Sequence, residues 1–283
     1  MNSYLVSLAT LVSINVILAL SLNIVSGFCG QVSLGHAAFY GIGAYASAKL
    51  ALAGVSTLPV FLLAMLAAGL VGLVVGFASL RVRNDFLAIA TMGVGFVFLG
   101  IVRKSRWLGG ELGLNGVPDP GFGAGVGLAL VVLCAAGVAV FSVYLKRSWL
   151  GFAFDAIARD EDAARTLAID VPRFKLAAFT LGTALAGLAG AFYVYFARSI
   201  LPDSFGFLES IAILTMVVIG GLGSVTGVTL AAILLTLAPE VFRFVNDYRL
   251  LVFGAPLVLV MAVSPSGLGG LGTRLWRRAG AAR

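Results

Sequence analysis

The sequence predicts an all-α fold, a polytopic integral membrane protein of about eight to ten transmembrane or re-entrant helices. Three observations carry that expectation. The chain is 60% hydrophobic and only 11% charged, with a mean hydropathy of +1.07, far from the balance of a soluble domain. Its apolar residues gather into runs near the roughly 20 that a helix needs to cross a hydrocarbon core of about 30 Å. Its 36 glycines among 283 residues suit helices packed closely in lipid better than the short alternating segments of a membrane β-barrel.

Taken in order, the candidate spans are 4–26, 31–52, 58–80, 86–102, 123–145, 176–197, 208–223, 226–244 and 249–264. The first has no basic region before it and is long enough to span, so it reads as a membrane helix and not as a cleavable signal. Between the fifth and sixth lies an island of charge, residues 146–175. It holds Lys146, Arg147, Arg159, Arg165, Arg173 and Lys175 together with Asp155, Asp160, Glu161, Asp162 and Asp170. The chain therefore divides into an N-terminal membrane half (1–145), the charged segment (146–175), a C-terminal membrane half (176–270) and a basic tail (271–283).

Lysine and arginine placement sets the orientation. The island and the tail, with Arg274, Arg277, Arg278 and Arg283, are the strongest basic clusters and are expected in the cytoplasm. Counting spans from there puts the N-terminus outside, the Arg81–Asp85 turn inside and the 103–122 loop outside. Arg103, Lys104 and Arg106 then lie on the wrong side for the rule. Either span 86–102 is re-entrant, or these bases snorkel or meet partners. The formal charge of +7 reflects this sidedness, with no nucleic-acid partner expected. Cys29 and Cys134 fall in or beside apolar spans, which favours two buried free thiols over a disulfide or a metal pair.

Several chemistries are missing. No lysine follows a glycine, so there is no GxxxxGK[ST] loop for ATP phosphates. The spans carry essentially no central Asp or Glu; Glu209 and Glu240 lie near ends, and Glu240 has Arg243 within one helical turn. Ion-coupled carriers usually hold ionisable groups at membrane depth, so a self-energised carrier is disfavoured, although backbone carbonyls alone can bind sodium. With His36 the only histidine and no HxxxH, HExxH or carboxylate pair in a span, no catalytic residue and no metal site is expected.

What the membrane does contain is a weakly polar, glycine-rich stretch. Residues 27–47 read GFCGQVSLGHAAFYGIGAYAS, with Ala37/Gly41 and Gly43/Ser47 as small-xxx-small pairs that favour close packing. Gln31, Ser33 and His36 place three polar groups near one turn. They either satisfy a broken helix end or line a polar path, and the two readings stand level. Asn23, Phe39 and Tyr40 flank that turn. A second break, IGGLGSVTG at 219–227, adds Gly220, Gly221, Gly223 and Ser224 to the candidate path, because paired helix interruptions are the usual pointer to one. The two segments share little beyond glycine and serine, and a tight re-entrant turn or a helix-packing contact would account for the second with nothing more.

Within the island, Asp160 is placed to cap a helix whose first turn carries Glu161 and Asp162, with Glu161 and Arg165 spaced i,i+4. Ile157, Leu167 and Ile169 supply an apolar side, and Pro172 stops the helix before the chain re-enters the membrane at Phe174. Such an element either lies on lipid or docks in a groove of a cytoplasmic partner. Its acidic first turn disfavours anionic lipid, so docking is expected.

These segments carry a family resemblance. LNIVSGFCGQVSLGHAAFYGIGAY (22–45) resembles the first signature of LivM-type permeases of branched-chain amino acid ABC importers. GGELGLNGVP (109–118) is similar to their extracytoplasmic glycine-rich loop, and AIARDEDAARTLAIDVPRFKLAAFTLGTALAGLAGAFY (156–193) to their coupling segment and following helix. MVVIGGLGSVTGVTLAA (216–232) and YRLLVFGAPLVLVMAVSPSGLGG (248–270) resemble the closing pattern. One departure is Ala168, where such segments commonly carry glycine, which leaves the shape of that turn open.

The resemblance implies one half of a permease pair in a bacterial inner membrane, completed by a LivH-type permease. Two ABC ATPase subunits would bind inside, and an extracytoplasmic solute-binding protein would deliver solute outside. ATP and Mg would then be used by the ATPases, with no cofactor bound by this chain. Gly151, Asp160, Glu161, Ala163, Ala164, Leu167 and Ile169 would form the ATPase-coupling surface. Leucine, isoleucine and valine are the implied solutes, with urea, short amides or other amino acids as the alternative and a stand-alone carrier or channel as the less favoured one.

Overall fold

A computed structural model describes residues 3–79, 84–121 and 123–241. Their main elements are helices: α1 (Ser3–Leu22), α2 (His36–Leu52), α3 (Thr57–Ser79), α4 (Asn84–Lys104), α5 (Ala124–Arg147), α6 (Trp149–Arg159), α7 (Glu161–Thr166), α8 (Val171–Ala197), α9 (Phe207–Gly220) and α10 (Val225–Val241). The strands β1 (Leu114–Asn115) and β2 (Ser199–Ile200) form one short antiparallel ladder. Among the described residues, 6 helices are long and apolar enough to cross a membrane, as the all-α polytopic reading requires.

Two expected spans are shorter than their apolar runs. The run at 31–52 becomes helical only at His36. Gly30 has a φ of +72°, and a Cβ on Gly35 would lie 1.8 Å from the Thr91 carbonyl oxygen, so residues 29–35 cross tight space as non-helical chain. The run at 208–223 stops at Gly220, because Gly221 and Gly223 take positive φ values of 95° and 78°. Positions 80–83 (most of the Arg81–Asp85 turn), the Glu240–Arg243 pairing, the span 249–264 and the tail 271–283 lie outside the described residues.

The helix α8 is the spine, packed against α1, α2 and α3. Its small residues make that approach possible. A Cβ on Gly43 of α2 would lie 2.3 Å from the Cα of Gly187, one on Gly190 2.3 Å from the Tyr40 carbonyl oxygen, and one on Gly72 of α3 1.9 Å from Thr183 Oγ1. In lipid, where burying apolar surface offers little net drive, such close contact is what holds helices together.

Both ends of this bundle carry ion pairs. At one end, β1 and β2 bind the 105–121 loop to the segment after α8, Arg103 meets Asp203 at 2.5 Å, Arg198 meets Asp119 at 2.5 Å, and Lys49 lies 4.7 Å from the Trp107 ring centre. The helix α4 is thus unbroken up to Lys104, long and apolar enough to cross, and Arg103 near its end meets a carboxylate. The opposite end carries the island. There Ser148 caps α6, and Asp160 Oδ1 caps α7 by accepting from the N–H groups of Asp162 and Ala163 at 2.9 and 3.0 Å.

The island departs from the local reading in three ways. Arg165 pairs with Asp162 at 3.1 Å, three residues away, while Glu161 turns to Lys175. Pro172 lies in the first turn of α8, where its missing N–H costs nothing, so it opens the next helix instead of closing the last. Leu167 does not share the inward side of Ile157; it is 71% exposed. The α7–α8 turn keeps a left-handed residue at Ala168, with a φ of 60°. Alanine therefore adopts the shape that glycine adopts without strain.

Two stability outcomes follow. Ala168→Gly should be tolerated and raise stability by up to about 1 kcal/mol, since relief of left-handed strain outweighs the looser unfolded chain. Gly43→Val should overpack the α2–α8 contact by about 1–3 kcal/mol or more. Unfolding midpoints in detergent, higher for the first variant and lower for the second, check both.

Candidate functional site

Both predicted interruptions reach the island end, and they meet there. Beyond Leu22 the helix α1 widens into a π-helical turn, Asn23–Phe28, a distortion found often at functional positions. The Asn23 Oδ1 accepts the Gly223 N–H at 2.9 Å across 200 residues of sequence. Gly27 is required there, because a Cβ would sit 2.5 Å from the Gly223 nitrogen. On the other side of the contact Ser224 Oγ accepts the Gly227 N–H at 3.1 Å and so caps α10. Gly220 lets α9 touch α10, its absent Cβ being 2.4 Å from the Val228 Cα. Lys146, at the end of α5, donates to the Gly223 carbonyl and lies 5.7 Å from the Phe28 ring centre.

The first interruption is fastened by its own polar residues. Gln31 Nε2 donates to the Lys175 carbonyl at 3.0 Å, the Gln31 carbonyl accepts from Ser26 Oγ at 2.8 Å, and the Gln31 N–H reaches the Val25 carbonyl at 3.1 Å. Thr91 Oγ1 accepts from the Leu34 N–H at 3.0 Å, and Ser210 Oγ from the Ala37 N–H at 3.1 Å. His36 Nε2 and Ser21 Oγ are 2.8 Å apart, and Ser21 also donates to the Leu18 carbonyl at 2.7 Å. With the serine proton used, Nε2–H is the donor and Nδ1 the bare nitrogen. Ser21 precedes the end of the π-helical turn by enough rise, about 10 Å, to place the start of α2 well inside the bundle.

Three buried atoms of this region have no partner: Asn23 Nδ2, Ser33 Oγ and His36 Nδ1. Unsatisfied polar atoms in such a setting are costly and call for an explanation. Phe39 and Tyr40 lie deeper, as packing groups: Phe39 meets Phe179 edge-on at 5.5 Å, and Tyr40 meets Phe205 at 5.0 Å and Tyr193 at 5.6 Å. Asn23, Gly221, Gly223 and Ser224 thus form one cluster, with Gln31, Ser33 and His36 as a second along the same break. Two larger cavities, of about 620 and 720 Å³, are lined by other residues, from α1, α3, α5 and α8 at the far end and from α5 and α10 respectively.

The candidate coupling residues separate by direction. Asp160, Ala163 and Leu167 face out, with Asp160 already engaged as a cap. Gly151 is buried in the first turn of α6, where a Cβ would be 2.3 Å from the Leu145 carbonyl oxygen, and Ala164 is the buried residue of α7. Ile169 packs half-buried against the body, and Glu161 turns inward to Lys175. Cys29, beside Gln31, is buried, and both cysteines are free. Sequence reasoning missed Lys146, Lys175, Ser21, Thr91 and Ser210. The two lysines bracket the island and were visible as its ends; the three hydroxyls are isolated in apolar runs and gave no sign of their partners.

Residues 4–261 match the family described as branched-chain amino acid transport system / permease component. The chain belongs to this family. It is 37% identical to the high-affinity branched-chain amino acid transport system permease protein LivM of Escherichia coli (strain K12), over 93% of this chain and 69% of that one. It is 27% identical to the permease protein BraD of Pseudomonas aeruginosa, over 93% and 94% of the two chains. The permease protein LivH of Escherichia coli (strain K12) is also 27% identical, over 92% of each. The greater identity to LivM than to LivH agrees with the LivM-type signatures. No solved structure matches the chain at a significant level.

The Asn23–Gly223 contact makes a direct prediction. Asn23→Leu leaves the Gly223 N–H without its acceptor and should cost about 1–3 kcal/mol. A lowered unfolding midpoint checks it; an unchanged one would mean that the contact carries no weight.

Proposed function

We propose that this chain is the transmembrane permease subunit of an ATP-driven importer of branched-chain amino acids. It would form the translocation path with a second, LivH-type permease, and a pair of ABC ATPases would drive it from the island side. The observation that carries this reading is the position of the island. The two ends of the island touch both interruptions, Lys146 at the end of α5 on Gly223 and Lys175 in α8 on Gln31, and Ala158 of α6 leaves a Cβ on Gly30 only 3.1 Å of room. A partner that moves the island therefore acts on the breaks at once.

The island is the cytoplasmic end in this reading, which puts the N-terminus and the ion-paired 105–121 loop outside, where a solute-binding protein would dock. The exposed Leu167 beside Ala163 forms the apolar knob that enters an ATPase groove, and ATP and Mg are used there, with no nucleotide site on this chain. The start of α2 directs the positive end of its dipole into the bundle, and the orphaned Asn23, Ser33 and His36 atoms lie nearby. These groups suit a solute with a carboxylate and an ammonium. Solute choice rests mainly with the binding protein, and energy enters from the ATPases.

The test is co-expression of the full importer. Leu167→Asp should reduce co-purification of the ATPase subunits and lower ATP-driven leucine uptake by about tenfold or more, as expected for loss of a buried anchor, with the permease still folded by size exclusion. Normal uptake and normal ATPase retention would sink the docking role.

A further inference from the structure

Most ion pairs among the described residues lie in water. Arg159–Asp155, Arg165–Asp162 and Arg173–Asp170 each have at least one side chain more than three-quarters exposed, or both well open, and such pairs hold little. Glu161–Lys175 is different. Its side chains are 24% and 11% exposed, so the attraction is far less screened by water than in the open pairs. The pair joins the first residue of α7 to the first turns of α8, and it holds as a unit.

From Lys175 the connection continues by hydrogen bonds. Its carbonyl accepts the Gln31 side chain at 3.0 Å, and the Gln31 carbonyl accepts Ser26 Oγ at 2.8 Å, inside the π-helical turn that also carries Asn23. Asn23 in turn holds Gly223, the residue that Lys146 grips from the base of the island. Every step is an ion pair, a hydrogen bond or a single helical turn, a contiguous set of contacts of the kind that can carry a displacement.

We propose that Glu161 and Lys175 are positioning residues that fasten the α7 coupling helix to the two helix interruptions, with Gln31 as the next link. Glu161 therefore acts within this chain and not as a contact to the ATPase. The inference rests on the proposed coupling role of the island. It assigns the neighbouring acids different tasks: Asp160 shapes α7 as its cap, while Glu161 transmits.

The test uses the complete importer in proteoliposomes, with permease pair, ATPase pair and binding protein, and leucine as the probe. The readout is uptake per ATP hydrolysed, which a fault of folding alone would not lower in the molecules that survive. Glu161→Gln and Lys175→Met should each lower that ratio by about fivefold or more, with the ATPases still retained by Lys175→Met. The exchange Glu161→Lys with Lys175→Glu should restore it to within about twofold of wild type. Gln31→Met, which leaves the ion pair intact, should lower the ratio as well. Ratios unchanged in the single variants would overturn the proposal. So would a loss confined to Glu161→Gln, or a charge exchange that rescues nothing, since both would place Glu161 against the partner. Failure of the wild-type chain to retain the ATPases at all is a separate outcome and would remove the coupling reading itself.

Discussion

A membrane bundle that interrupts its helices must find partners for the freed backbone groups, because lipid offers none. Here two interruptions solve that problem by meeting. The α9–α10 turn gives the Gly223 N–H to Asn23, and Gly27 leaves the space for it. The break after Phe28 draws its partners from Gln31, Ser26, Thr91 and Ser210. Much else depends on this joint: the entry point of α2, the course of α8 past it, and the placement of the island against the bundle end.

The joint is tight and also incomplete. Asn23 Nδ2, Ser33 Oγ and His36 Nδ1 stay without partners in the isolated chain. A structural knot with no other purpose would have little reason to keep three such atoms. They are the polar atoms of this joint that the chain itself leaves unsatisfied. Close glycine packing along α8 builds the spine against which the joint and the island are set.

Much of the fold was legible in the sequence because the bilayer imposes one dominant rule. Apolar runs of spanning length became helices, and the charged segment became a capped helix pair with Asp160 where the spacing placed it. The errors came from rules that see only neighbours. Helical spacing paired Glu161 with Arg165, yet the shielded Lys175 offered a better partner once α8 folded back. Proline read as a stop opened α8 instead. The run at 31–52 looked like one span because hydropathy does not register the Gly35–Thr91 approach that keeps its start extended. The site was half legible. Glycine and lone polar residues marked both breaks, but nothing local reveals that residues 200 positions apart share a hydrogen bond.

The central claim is that the island and the joint move as one body. Spin labels at the exposed positions Ala163 and Leu222, and a third at Leu112 on the far loop, allow its most direct measurement in the assembled importer. Between nucleotide-free and nucleotide-trapped states, the 163–222 distance should change by less than about 2 Å while the 112–222 distance shifts by more. A 163–222 distance that changes as much as the distance to the far loop would contradict it.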